Sequence, residues 1–98
     1  MEFVQLIELR TRHIDQVNAL VDDWLTRTRG RRSARRGMMC ADRDDPGVYV
    51  EVIEFPSYEE AMRNSELPET QEWADRVSEV CESPPLFRNL DVIRRQDL

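Results

Sequence analysis

Residues 48–77 read VYVEVIEFPSYEEAMRNSELPETQEWADRV. The opening Val48–Phe55 is β-branched, aromatic or acidic and contains no glycine or proline, which is strand composition. Pro56 and Ser57 stop that strand. Ser57-Tyr58-Glu59-Glu60 then has the serine-x-x-glutamate spacing of a capping box, which opens a short helix. This helix is expected to bury Tyr58, Ala61 and Met62 and to fray near Asn64 and Ser65. Leu67-Pro68 reopens a helix, because a proline in the first turn lacks only an N–H that has no intrahelical partner there. Its inner stripe is Trp73, Val77, Val80 and Cys81, with Ala74 beside it, and Ser83-Pro84-Pro85 ends it.

Working outward, Arg43-Asp44-Asp45-Pro46-Gly47 is turn chemistry. It joins Val48–Phe55 to a weaker strand, Arg36 to Asp42, and the two form a hairpin. Glu2 to Arg10 (EFVQLIELR) is another strand, apolar on both faces: Val4 and Leu6 on one, Phe3, Ile7 and Leu9 on the other. Between it and the hairpin, Ile14, Val17, Val21, Trp24, Leu25 and Thr28 recur at helical spacing. Thr11 reads as the N-cap of that helix and Gly30 as its left-handed C-cap. Leu86 to Arg94 (LFRNLDVIR) is the last strand, followed by a tail, Arg95 to Leu98, expected to be loose.

The order βαββααβ is the split βαβ, ferredoxin-like α+β plan, in which helices cover one face of a four-stranded antiparallel sheet. One domain spans residues 1–98. The first and third strands carry apolar residues on both faces, so the second face needs a cover that the chain lacks. On the third strand that face is either Tyr49 and Ile53 or Val48, Val50 and Val52. A second copy supplies the cover, and a homodimer with sheets face to face is the expectation.

Net charge is −6, which argues against nucleic-acid binding, since neutralising phosphates needs a positive field. No apolar run approaches the roughly 18 residues of a membrane span, and Met1-Glu2-Phe3-Val4 lacks a signal-peptide pattern. A cytoplasmic setting is expected, in keeping with only two cysteines, Cys40 and Cys81. They have no metal-ligand spacing and read as buried free thiols. All 14 basic residues are arginine, which suggests a high-GC bacterial genome.

The segment from 48 to 77, with the closing FRNLDVIR, resembles the antibiotic biosynthesis monooxygenase-like domains of the dimeric α+β barrel superfamily: a third strand, a short helix, a kink, a long helix and a last strand. The resemblance covers essentially the whole chain. It implies a pocket between sheet and helices in each subunit, and oxidation of a quinol- or anthrone-like small aromatic without flavin or metal. It also implies a polar or aromatic pocket residue at the end of the short helix, which is Asn64 here, able to hold a substrate oxygen. Trp73 would supply an aromatic wall and an indole N–H, and Tyr49, Tyr58 and His13 are further polar rings for substrate binding. The haem-degrading branch uses a first-strand asparagine, a tryptophan at the end of the short helix and a histidine further on. Here Gln5, Asn64 and Ala74 stand at those places, the axial ligand is missing, and haem degradation is rejected.

Each candidate has a plainer reading. Asparagine ends helices in the left-handed conformation. Trp73 lies on an apolar stripe, and Trp24 on a stronger one that reads as core. His13 has no evident carboxylate partner and reads as a solvent-facing residue before a helix, while the tyrosines read as packing residues with exposed hydroxyls. Six arginines between Arg27 and Arg36 read as a solvated loop that complements a helix C-terminus, although such a cluster also suits a phosphate or an acidic partner. The acidic residues from Glu59 to Glu82 read as outward-facing, without chemistry. Two functions follow: a cofactor-independent monooxygenase, or a non-catalytic dimeric module that binds a ligand or a protein.

Overall fold

The computed structural model describes residues 1–98. Its elements are β1 (Phe3–Arg10), α1 (Ile14–Arg27), β2 (Arg36–Ala41), β3 (Val48–Phe55), α2 (Tyr58–Ser65), α3 (Pro68–Glu79) and β4 (Leu86–Asp91). The strands form one antiparallel sheet in the order β2-β3-β1-β4. This is the ferredoxin-like arrangement that the sequence predicts, with β4 ending at Asp91 instead of Arg94.

Strand alternation sets the two faces. Phe3, Ile7 and Leu9 are buried, and the register places Phe55, Glu51 and Tyr49 directly beside them. This face carries the helices. Ile7 and Leu9 form a core with Val17 of α1 and Val77 of α3, while Phe3 and Phe55 enclose Ala61 of α2. The opposite face presents Val4 and Leu6 of β1, Val50 and Val52 of β3, and Met38 and Cys40 of β2, with no helix over it. Of the two faces left open for β3, the uncovered one is therefore the valine face. Met38 is 61% exposed there.

Several local expectations change. Thr11 does not cap α1; His13 holds that position without a side-chain cap. The buried Thr11 hydroxyl instead donates to the Val80 carbonyl at 2.6 Å and accepts from the His13 N–H at 3.0 Å, tying the end of β1 to the end of α3. Gly30 does take a positive φ of 78°, two residues beyond the C-cap Thr28. Leu25 faces solvent, and Leu20 packs toward the core in its place. Tyr58 is exposed and lies edge-on against Phe3 instead of being buried. Ser57 Oγ accepts from the Glu60 N–H as a capping box requires, but the Glu60 carboxylate is taken by Arg63. Cys40 is exposed and Cys81 half-buried, so neither is the fully buried thiol expected; burial does raise the Cys81 thiol above its usual range. The tail is anchored at Arg95, which donates to Glu2 at 2.9 Å and to Glu54 at 2.8 Å.

The first arginines of the basic segment do complement a helix end. Arg31 donates to the Arg27 carbonyl and Arg32 to that of Leu25. Glu69 and Glu72 are not idle surface charges, since they pair with Arg31 and Arg27 and so clamp α3 to the end of α1.

Candidate functional site

Between the covered face of the sheet and the three helices lies a cavity of about 230 Å³. Its floor is built by period-two alternation: Gln5 and Ile7 from β1, Glu51 and Ile53 from β3, and Phe87 from β4. Its walls follow helical spacing. Val21 and Trp24, three apart, come from one face of α1, and Thr70, Trp73 and Ala74 from one face of α3. Asn64 is supplied by α2, where it shares the inner face with Ala61, three residues earlier.

Asn64 is buried inside the helix and does not terminate it, since α2 runs on to Ser65 and no residue other than glycine has a positive φ. Its Oδ1 is shielded from solvent and has no hydrogen-bond partner. Trp73 is half-buried, touching the main core on one side and lining the cavity on the other. These two predicted site residues are brought together. The other three do not line the cavity: Tyr49 packs against the main core, Tyr58 stands against Phe3, and His13 is an exposed residue at the start of α1.

Glu51 escaped the reading of the sequence. Alternation within VYVEVIEF puts it on the face of Tyr49, Ile53 and Phe55, so the signal was present as a carboxylate on an apolar stripe. Across the sheet its neighbours are Ile7 and Met39. Glu51 Oε2 is buried without a partner, and burial alone pushes the carboxyl up to about 7. With no cation compensating it, the group exchanges its proton near neutrality. Trp24, expected in the core, is a wall of this cavity, and its indole N–H donates to Thr70 Oγ1 at 2.9 Å. Gln5 is oriented by Asn89, to whose Oδ1 it donates at 3.1 Å.

The cavity thus combines aromatic walls with two buried oxygen acceptors, Glu51 Oε2 and Asn64 Oδ1, that the protein leaves unsatisfied. A buried acceptor without a donor is costly, and a ligand bearing hydroxyl groups relieves the cost. No group of three or more His, Cys, Asp or Glu side chains is placed to hold a metal ion.

Neither the protein-family models nor the curated proteins include a match to this chain. Solved structures do match, and they define the class of fold as that of the antibiotic biosynthesis monooxygenase-like proteins. An antibiotic biosynthesis monooxygenase superposes with a TM-score of 0.74 at 17% identity, over 96% of this chain and 100% of its own. Rv0793 from Mycobacterium tuberculosis gives 0.80 at 17% identity, over 99% and 100%. SnoaB, a cofactor-independent oxygenase from Streptomyces nogalater crystallised as an asparagine-to-alanine mutant, gives 0.80 at 9% identity, over 96% and 95%. At these identities the likeness is one of fold. No helix is long and apolar enough to cross a membrane.

Proposed function

We propose that this chain is a homodimeric, cofactor-independent monooxygenase acting on a small aromatic of quinol or anthrone type. The observation that supports this most directly is the pair of unsatisfied buried acceptors, Glu51 Oε2 and Asn64 Oδ1, in a cavity walled by Trp24, Trp73 and Phe87. The activity given for SnoaB is in keeping with it.

In this reading the aromatic ring lies among the tryptophans. One hydroxyl donates to Asn64 Oδ1, which adjusts the role expected for Asn64: it accepts from the substrate. The Glu51 carboxylate takes the acidic proton of the substrate, and the resulting carbanion gives its electrons to dioxygen. A carbon–oxygen bond forms, and the hydroperoxide loses water. One oxygen atom stays as a new carbonyl and the other leaves in that water. The pair from the first carbon–hydrogen bond forms the carbon–oxygen bond, and the pair from the second becomes the carbonyl π bond as the O–O bond breaks. These four electrons reduce the dioxygen. The base need only sit near the working pH, where general-base catalysis is most effective. The apolar outer face, with Met38, Val50 and Val52, supports pairing with a second copy.

The test is oxygen uptake with the anthrone dithranol in buffer containing a chelator and no flavin. The reading expects uptake matched by quinone formation, lost in Glu51→Gln. Tight binding of the anthrone without uptake above the buffer rate would replace it with the ligand-binding module.

A further inference from the structure

Glu51 borders a second recess, of about 200 Å³, on the β2 side of the first. The two share Val21, Trp24, Glu51 and Ile53, so they meet across the carboxylate and the indole. The far side of this recess is basic: Arg32, Arg35 and Arg36 line it. We propose that this recess is an anion subsite built by Arg32 and Arg35, and that the aromatic ligand of the cavity carries a carboxylate or similar acidic group into it. This rests on the reading of the larger cavity as an aromatic site and adds the class of substrate to it.

Three observations carry the assignment. First, the two guanidiniums are not neutralised. No salt bridge uses Arg32 or Arg35, although ten others tie up arginines elsewhere. The carboxylate that feels Arg35 is Glu54, which is already held by Arg36 at 3.3 Å and Arg95 at 2.8 Å. Positive charge is in local surplus in a protein whose net charge is −6. Second, Arg32 is fixed in place. It donates to the Leu25 carbonyl at 2.8 Å, and its guanidinium lies over the Trp24 ring, 5.6 Å from the centroid. A cation held on an aromatic face loses little freedom when an anion arrives. Third, neither arginine is committed to Glu51, whose carboxyl is shifted by burial alone. Glu51 and the cations of the site are therefore kept apart, and a ligand that spans the two recesses would offer its hydroxyl to the buried acceptors of the first and its anion to the arginines.

The experiment compares two fluorescent probes: a hydroxynaphthoic acid with its hydroxyl and carboxylate at opposite ends, and the naphthol that lacks the carboxylate. Wild-type protein should bind the acid at least about tenfold more tightly, as expected for a hydrogen bond to a charged group. Arg35→Gln should erase most of that preference and leave the naphthol affinity unchanged, and raising the salt concentration should narrow it in the wild type. Equal affinities would overturn the anion subsite while leaving the aromatic cavity intact. A preference that survives both Arg35→Gln and Arg32→Gln would overturn the assignment of the arginines. Failure of both probes to bind would remove the aromatic reading itself, and the subsite with it.

Discussion

The Trp24 indole N–H donates to Thr70 Oγ1 at 2.9 Å, so helices α1 and α3 are fastened to each other at the wall of the cavity. The bond fixes the plane of the indole, on whose ring Arg32 also rests. Thr70→Val keeps the shape of the side chain and removes the acceptor, stranding a half-buried N–H. The expected cost is about 1–2 kcal/mol, read by urea denaturation followed by tryptophan fluorescence. Naphthol affinity should fall with it. If stability is unchanged, the indole does not depend on this bond for its orientation.

The pH dependence of stability follows from Glu51. Its folded carboxyl is raised from 4.5 to about 7 by burial. Below pH 4.5 the group is protonated in both folded and unfolded chains and costs nothing. As pH rises toward 7 the unfolded chain ionises first, so the fold is progressively disfavoured. At about 1.4 kcal/mol per pH unit the full penalty is about 3 kcal/mol. Glu51→Gln removes it. The variant should therefore gain stability over wild type as pH is raised from 4.5 to 8, with most of the gain reached by about pH 7. Urea titrations at the two ends of that range measure it, and a gap that does not change with pH would mean that Glu51 is solvated. Oxygen uptake, which follows the folded carboxyl alone, should instead rise around pH 7, where the base loses its proton.

The elements were legible because their signals are local. VYVEVIEF is rich in β-branched and aromatic residues, α1 and α3 carry clear apolar stripes, and proline or glycine marks most boundaries. The contents of the cavity were less so. Glu51 looks like one of many acids until the register shows Ile7 and Met39 on either side of it. Trp24 looks like core because a stripe tells which side of a helix turns inward, not how far the neighbouring helix stands away. Thr11 has capping chemistry but spends it on Val80, 69 residues away in sequence. Asn64 was found through the resemblance, and its burial could not be read from its helix alone.

The outer face of the sheet makes its own prediction. Val52 lies at the middle of that face, between Leu6 on β1 and Met38 on β2. Standard interfaces bury roughly 800 Å² per partner, and a four-stranded face supplies an area of that order. Wild-type protein should sediment as a dimer at micromolar concentration. Val52→Arg places a charge where a facing sheet would bury it, and should give a folded monomer with an unchanged circular dichroism spectrum. A wild-type monomer would leave this face to some other occupant and would remove the homodimer from the proposal.

Asn64 distinguishes a residue kept for stability from one kept for binding. Its buried Oδ1 has no partner, so in the empty protein the amide weighs against the fold by about 1–3 kcal/mol. Leucine has the same branched shape and number of heavy atoms, is somewhat bulkier into the adjoining cavity, and has no polar atom to desolvate. Asn64→Leu should therefore leave the free protein as stable as wild type or up to about 1–2 kcal/mol more so. In the complex the sign reverses, because the substrate hydroxyl that would satisfy Oδ1 loses its acceptor and is itself buried unpaired. Naphthol binding should weaken by about tenfold, at about 1.4 kcal/mol per factor of ten, and oxygen uptake should drop at least as far. Thermal unfolding with and without saturating naphthol reads both quantities on one sample: the variant should match or exceed wild type when empty and show a smaller ligand-induced shift. A variant less stable when empty, with its ligand shift intact, would make Asn64 a structural residue and leave Glu51 as the cavity's one unsatisfied acceptor.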